Sequence, residues 1–171
     1  PPHAAGEVAR IAEDATGALV LAGPRARVPD VLAGLDGAAT AHVAAHGTFR
    51  ADNPLFSHLS LADGPLTVHD LLPLRRPPGL LVLSACDSGV STVHEGDELM
   101  GFAAAMLGLG TRTIIASVGP VDDEATRALM VDLHRRLARA VAPAQALAEA
   151  QAAQTADALS STHAFRCFGA G

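Results

Sequence analysis

Apolar positions along this chain fall into two rhythms, one of helical spacing and one of short continuous runs. Near the start, Val8, Ile11, Ala12 and Ala15 share one face at helical spacing, which predicts an amphipathic helix lying on a sheet. Ala18-Leu19-Val20-Leu21-Ala22 then reads as a short strand closed by Gly23-Pro24. Val28 to Leu35 reads as a short helix, with Pro29 near its start and Gly37 after its end. The run Ala41-His42-Val43-Ala44-Ala45 makes the next strand, Leu59-Ser60-Leu61 before Asp63-Gly64 a hairpin arm, and Thr67 to Leu72 one or two helical turns. Gly79-Leu80-Leu81-Val82-Leu83 is a further strand. From Glu95 the apolar positions Leu99, Phe102, Ala103, Met106 and Leu107 are helical, stopping at Gly108 and Gly110 before a strand from Thr113 to Ser117. Asp122 or Asp123 caps a long helix with an inner face of Leu129, Leu133, Leu137 and Val141. Glu124 sits near its positive end and Arg135, Arg136 and Arg139 near its negative end. Pro143 opens an Ala-rich helix to about Leu159, and Ala164 to Phe168 forms a last strand before Gly169.

Strands that alternate with helices and are apolar on both sides predict an α/β fold: a mostly parallel sheet with helices on both faces. The composition agrees, since 171 residues with 49% hydrophobic content bury one core without disulfide or metal staples. A single domain over residues 1–171 is expected, and because the chain opens Pro1-Pro2-His3 and enters a helical pattern almost at once, it is expected to be part of a longer protein. No apolar run approaches the roughly 20 residues of a membrane span, and no basic-then-apolar signal opens the chain, so the expected setting is cytoplasmic with no membrane partner. Twelve basic against eighteen acidic side chains, no basic run and no Trp or Tyr argue against nucleic acid as the main ligand. Two cysteines, Cys86 and Cys167, cannot build a disulfide framework.

Two short motifs carry the candidate chemistry. His46-Gly47 closes one apolar run, and Cys86 in Ser84-Ala85-Cys86-Asp87-Ser88-Gly89 closes another. In an open α/β sheet the C-terminal ends of the strands are where loops carry reactive groups. A thiol with a reference pKa of about 8.5 needs a nearby imidazole to act as a nucleophile near neutrality, and His46 is the natural base. Gly47 lets the backbone approach a substrate, so the N–H groups of Gly47 and Cys86 are the candidate oxyanion donors. Asp87-Ser88-Gly89 supplies turn chemistry beside the thiol. Each feature also has a plainer reading. An isolated Cys is most often an inert core thiol, which is how Cys167 reads between Arg166 and Phe168. His42 and His46 have a His-x-x-x-His spacing, but on a strand this is no helical zinc pair, so His42 reads as a core or supporting side chain and no metal site is expected. His58, His69, His94, His134 and His163 have no motif around them and read as surface or locally bonded residues. Gly108-Leu109-Gly110 follows a helix rather than opening one, so it is no dinucleotide fingerprint, and no Gly-x-Ser-x-Gly elbow is present.

Taken together, His42-Val43-Ala44-Ala45-His46-Gly47, Leu83-Ser84-Ala85-Cys86-Asp87-Ser88-Gly89 and Ala116-Ser117-Val118-Gly119-Pro120-Val121-Asp122-Asp123 resemble the CHAT domain, a caspase-like family related to separase. The resemblance runs along nearly the whole chain, from the helix at Glu7 to Ile11 through Ser57 to Leu61, Phe102 to Met106 and Ala146 to Gln151 to the Phe165 to Gly169 end. It implies a single caspase-like domain lacking its N-terminal part and a cysteine endopeptidase acting on a protein or peptide through a His46 and Cys86 dyad, with Gly47 near the oxyanion. It implies no metal or organic cofactor, and regulation by helical-repeat segments or an effector assembly. Asp87, Asp122 and Asp123 become candidates for the substrate pocket, where a carboxylate would read a basic side chain. The same three residues also suit a turn (Asp87) or a helix N-cap (Asp122, Asp123). One departure stands out: the family usually has Trp where this chain has Gly119, which removes a pocket wall. The alternative function is a catalytically idle scaffold or signalling module that binds a partner protein with the same fold.

Overall fold

The computed structural model describes residues 2–15, 17–48, 53–84, 95–119, 121–155, 158 and 162–170. In chain order its elements are α1 (Pro2–Glu13), α2 (Val28–Leu35), β1 (Thr40–Val43), β2 (His46–Thr48), β3 (His58–Leu61), β4 (Gly64–Thr67), α3 (Val68–Leu71), β5 (Leu80–Leu83), α4 (Glu95–Leu109), β6 (Thr113–Ser117), α5 (Asp123–Leu137), α6 (Pro143–Ala152) and β7 (Phe165–Gly169), with short 3₁₀ turns at Gly23–Arg25 and Pro54–Phe56. The central sheet has the order β1-β5-β6-β7: β1, β5 and β6 run parallel and β7 is antiparallel to β6. A second, three-stranded antiparallel sheet has the order β2-β3-β4. The α/β fold with a mostly parallel sheet is the one the sequence predicts.

β5 and β6 are buried at every position, as continuous apolar runs inside a covered parallel sheet should be. Their side chains alternate between two cores. Leu81, Leu83, Ile114 and Ala116 face one side, where Leu35 of α2, Leu71 of α3, Phe102 and Met106 of α4 and Leu59 and Leu66 of the small sheet cover them. Leu80, Val82 and Ile115 face the other, packing with Ile11 of α1, Leu129, Met130 and Leu133 of α5, and Ala146, Leu147 and Ala150 of α6. Helices therefore cover both faces. Val141, predicted on the inner face of the long helix, lies beyond the end of α5 but still packs on this second core.

Three sequence expectations shift. Residues 18–22 form neither helix nor strand: Ala22, at their end, has extended dihedrals, but among the described residues they join no ladder, and Leu19 is 70% exposed. The segment leans on α2, where a Cβ added at Gly34 would meet Leu19 Cδ2 at 3.3 Å. The apolar pattern supplied no strand partner for it. α6 stops at Ala152 instead of reaching about Leu159, with Gln154 Nε2 donating to the Ala150 carbonyl at 3.2 Å and satisfying one of the terminal acceptors. The stretch before Thr67 holds a further strand, β4, which completes the hairpin with β3. Thr67 ends that strand and is also the N-cap of α3. Its hydroxyl accepts from Asp70 N at 3.2 Å while the Asp70 carboxylate accepts from Thr67 N at 2.9 Å, a reciprocal capping box. The Thr67 hydroxyl also donates to Asp70 Oδ2 at 2.6 Å, and this bond foremost, with that from Thr67 N, holds the Asp70 carboxyl below the usual range.

At the far end of β7, Gly169 has φ +92°, and a Cβ there would lie 2.2 Å from the Arg112 carbonyl oxygen. Only glycine lets this strand end lie so close to the start of β6.

Candidate functional site

Because β1, β5 and β6 are parallel, their C-terminal ends lie along one edge of the central sheet. Val43 of β1 is in register with Leu83 of β5, and Ser84 N donates to the Val43 carbonyl at 3.0 Å, carrying the pairing one residue further. Beyond Val43, the small residues Ala44 and Ala45 lead the chain out of the central sheet, with Ala45 buried, and His46 begins β2. His46 pairs with Ser60 and Gly47 with Leu59 of β3. His46 is half-buried and Gly47 fully buried, so the His-Gly pair is set by an antiparallel ladder and not by a bare strand end. Cys86 and Asp87 lie outside the described residues, as does His94.

The third loop of this edge follows β6. Ser117 Oγ donates to the Gly119 carbonyl at 2.6 Å and accepts from Gly119 N at 3.3 Å, closing a tight side-chain-supported turn. Among the described residues, a Cβ at Gly119 would meet Ala164 Cβ, at 3.9 Å. Asp122, exposed, is the N-cap of α5: its Oδ1 accepts from Glu124 N at 3.0 Å and Ala125 N at 2.9 Å. Asp123, also exposed, is the first residue of the helix. The capping role open to Asp122 from sequence is thus filled, and both residues follow the C-terminal end of β6.

The sequence did not reveal a polar array beneath the β1 strand. His42, on the face of β1 turned toward α1 and α5, uses both ring nitrogens. Its Nε2 lies 2.8 Å from Glu7 Oε1 and its Nδ1 lies 3.0 Å from His134 Nε2. The His42 and Glu7 side chains are only 8% and 7% exposed, and the two rings meet edge to face with centroids 5.0 Å apart. His42 is therefore a supporting core side chain, as expected. His134 is not the surface or locally bonded residue its sequence context suggests, since its partner lies on a different element 92 positions away. Burial, with the charge of His42 adding to it, pushes His134 down to about 3. The available signal was weak: His134 follows Leu133 on the inner side of α5, and Glu7 sits among the apolar positions of α1.

The remaining candidates are local. His58 Nδ1 donates to the Phe56 carbonyl at 3.3 Å, and Cys167 packs against the second core, where burial pushes its thiol up. Among the described residues, a hollow is lined by Asp36, Arg75 and Arg76, none of them a predicted site residue. Among the described residues, no three His, Cys, Asp or Glu side chains converge to hold a metal ion, and no helix is long and apolar enough to cross a membrane.

Comparison with known families gives a match to the CHAT domain over residues 2–164. No curated protein matches the chain.

Proposed function

Since the chain belongs to the CHAT-domain family, whose fold is caspase-like, we propose that it is a cysteine endopeptidase in which His46 and Cys86 form the dyad. His46 takes the proton of the Cys86 thiol, and the thiolate attacks the carbonyl carbon of the scissile peptide bond. The oxyanion accepts hydrogen bonds from the N–H groups of Gly47 and Cys86. As the intermediate collapses, the C–N bond breaks and the His46 imidazolium gives its proton to the departing amine. Water, deprotonated by His46, then hydrolyses the thioester and restores the thiol. The observation that supports this reading is the Val43–Leu83 register between the neighbouring parallel strands β1 and β5, whose pairing continues to Ser84: in sequence, His46 and Cys86 each follow that pair by three positions.

Asp87, Asp122 and Asp123 are the residues that would read a basic side chain before the scissile bond. Asp122 combines that role with its cap of α5. The substrate is a protein or peptide, activation comes from a helical-repeat or effector partner, and a reducing cytoplasmic setting suits a free catalytic thiol. Gly119 favours a second reading, a partner-binding scaffold, because glycine itself brings no side chain to a position where the family usually has Trp.

The test is cleavage of a peptide library by the full chain, with and without candidate activating partners, beside the Cys86→Ala and His46→Ala variants. The expected result is cleavage by the wild type and a loss of about 10³-fold or more in either variant. Equal cleavage by wild type and Cys86→Ala, or partner binding with no cleavage under any condition, would overturn the peptidase reading in favour of the scaffold.

A further inference from the structure

Glu7, His42 and His134 come from α1, β1 and α5, so their two hydrogen bonds join three elements distant in sequence. The contact between His42 Nδ1 and His134 Nε2 has room for one hydrogen. Either ring can supply it, with the other nitrogen accepting. Were both rings imidazolium, two N–H groups would face each other across 3.0 Å with no acceptor between them, and the contact could not survive. The Glu7 carboxylate balances one positive charge on the other side of His42, but it does not reach the contact between the rings.

The neighbouring charges are occupied elsewhere. On α1, Arg10 pairs with Glu13, and Asp14, just past its end, reaches Arg135 of α5. On α5, Arg136 binds Asp132 and also Glu149 of α6. On the sheet, the residue beside His42 is Val82, which is apolar and fully buried. None of these groups is positioned to take up a second positive charge in the ring pair.

We infer that Glu7, His42 and His134 form a proton-counting latch: with at most one of the two rings charged it holds α1 against β1 and α5, and protonation of the second ring to imidazolium releases α1. The depressed value of His134, about 3 against an ordinary 6.5, is in keeping with this. The open form takes up the second proton first, so acid draws the equilibrium toward it. The latch does not depend on the chemistry at His46, and its test does not read cleavage.

Amide hydrogen exchange of the full chain, corrected for intrinsic rates, measured from neutral pH to about pH 4.5, reads the docking of α1 directly. Exchange in α1, relative to that in α4 on the opposite face, should rise by up to about tenfold per pH unit once His134 would titrate in the open form. In His134→Gln, whose amide keeps a donor for His42 Nδ1 but cannot titrate, α1 should stay protected over the same range. Unchanged α1 protection in the wild type, or an equal rise in the variant, would overturn the latch. Should the variant not fold, the imidazole ¹⁵N spectrum of the wild type decides. A neutral His134 down to the pH at which α1 opens supports the latch, and protonation near its ordinary value with α1 still protected refutes it.

Discussion

The two faces of the central sheet are built from the same strands but on different principles. Toward α2, α3, α4 and the small sheet, the buried interior is hydrocarbon: Leu81, Leu83, Ile114 and Ala116 against Phe102, Met106, Leu59 and Leu66. Toward α1, α5 and α6, an equally apolar packing of Leu80, Val82, Ile115, Leu129 and Leu133 surrounds the Glu7–His42–His134 array. An apolar interior resists unfolding by area and shape alone, so its contribution does not vary with pH. A buried polar array adds register and direction, since it is satisfied in only one arrangement, and brings a dependence on protons.

Phe102→Ala probes the hydrocarbon face and should have the largest effect, a loss of about 3–5 kcal/mol in unfolding free energy. Its stability curve should run parallel to that of the wild type across pH, as measured by denaturant unfolding. A Phe102→Ala curve that converges on the wild type in acid would break the contrast between the faces.

The polar face predicts a slope. The folded-state value of His134 lies below its unfolded value, so its contribution is fully present above about pH 6.5 and is lost progressively as pH falls toward 3. Over that window wild-type stability should fall by up to about 1.4 kcal/mol per pH unit through this residue, and His134→Gln should remove that component. Denaturant midpoints taken at several pH values check this directly.

The smallest effect belongs to the edge both faces share. Asp122→Ala should cost about 1 kcal/mol by uncapping α5, and Asp122→Asn, which keeps an acceptor, should recover most of it. Thermal unfolding of the two variants measures the cap. Equal losses in both would mean that the charge of Asp122, rather than its acceptor oxygen, supports the helix.

How far these features could be read from sequence depended on whether the cause was local. β6 at Thr113–Ser117 and the Asp122 cap were legible because apolar runs, turn residues and capping preferences act within a few residues. Ala18 to Ala22 was not: a strand exists through its partner, and an apolar pentapeptide does not name one. The two motifs at His46 and Cys86 were visible as motifs, but the ladder that fixes His46 against Ser60 required a hairpin whose second strand was hidden in the approach to Thr67. The Glu7–His42–His134 array was the least legible, because each residue looks ordinary in its own segment and acquires its role only when three elements meet.

The small sheet also behaves as a mechanical linkage. The backbone of His46 and Gly47 is laddered to β3, β3 is laddered to β4, and β4 ends in the residue that caps α3 without an intervening loop. A one-residue slip of this hairpin would turn Leu59 and Leu66 outward, and it would also pull the Thr67 hydroxyl away from Asp70. The alignment error is thus penalised at two distant points, and the His-Gly pair sits at the end of a self-registering train of parts instead of on a freely adjustable loop.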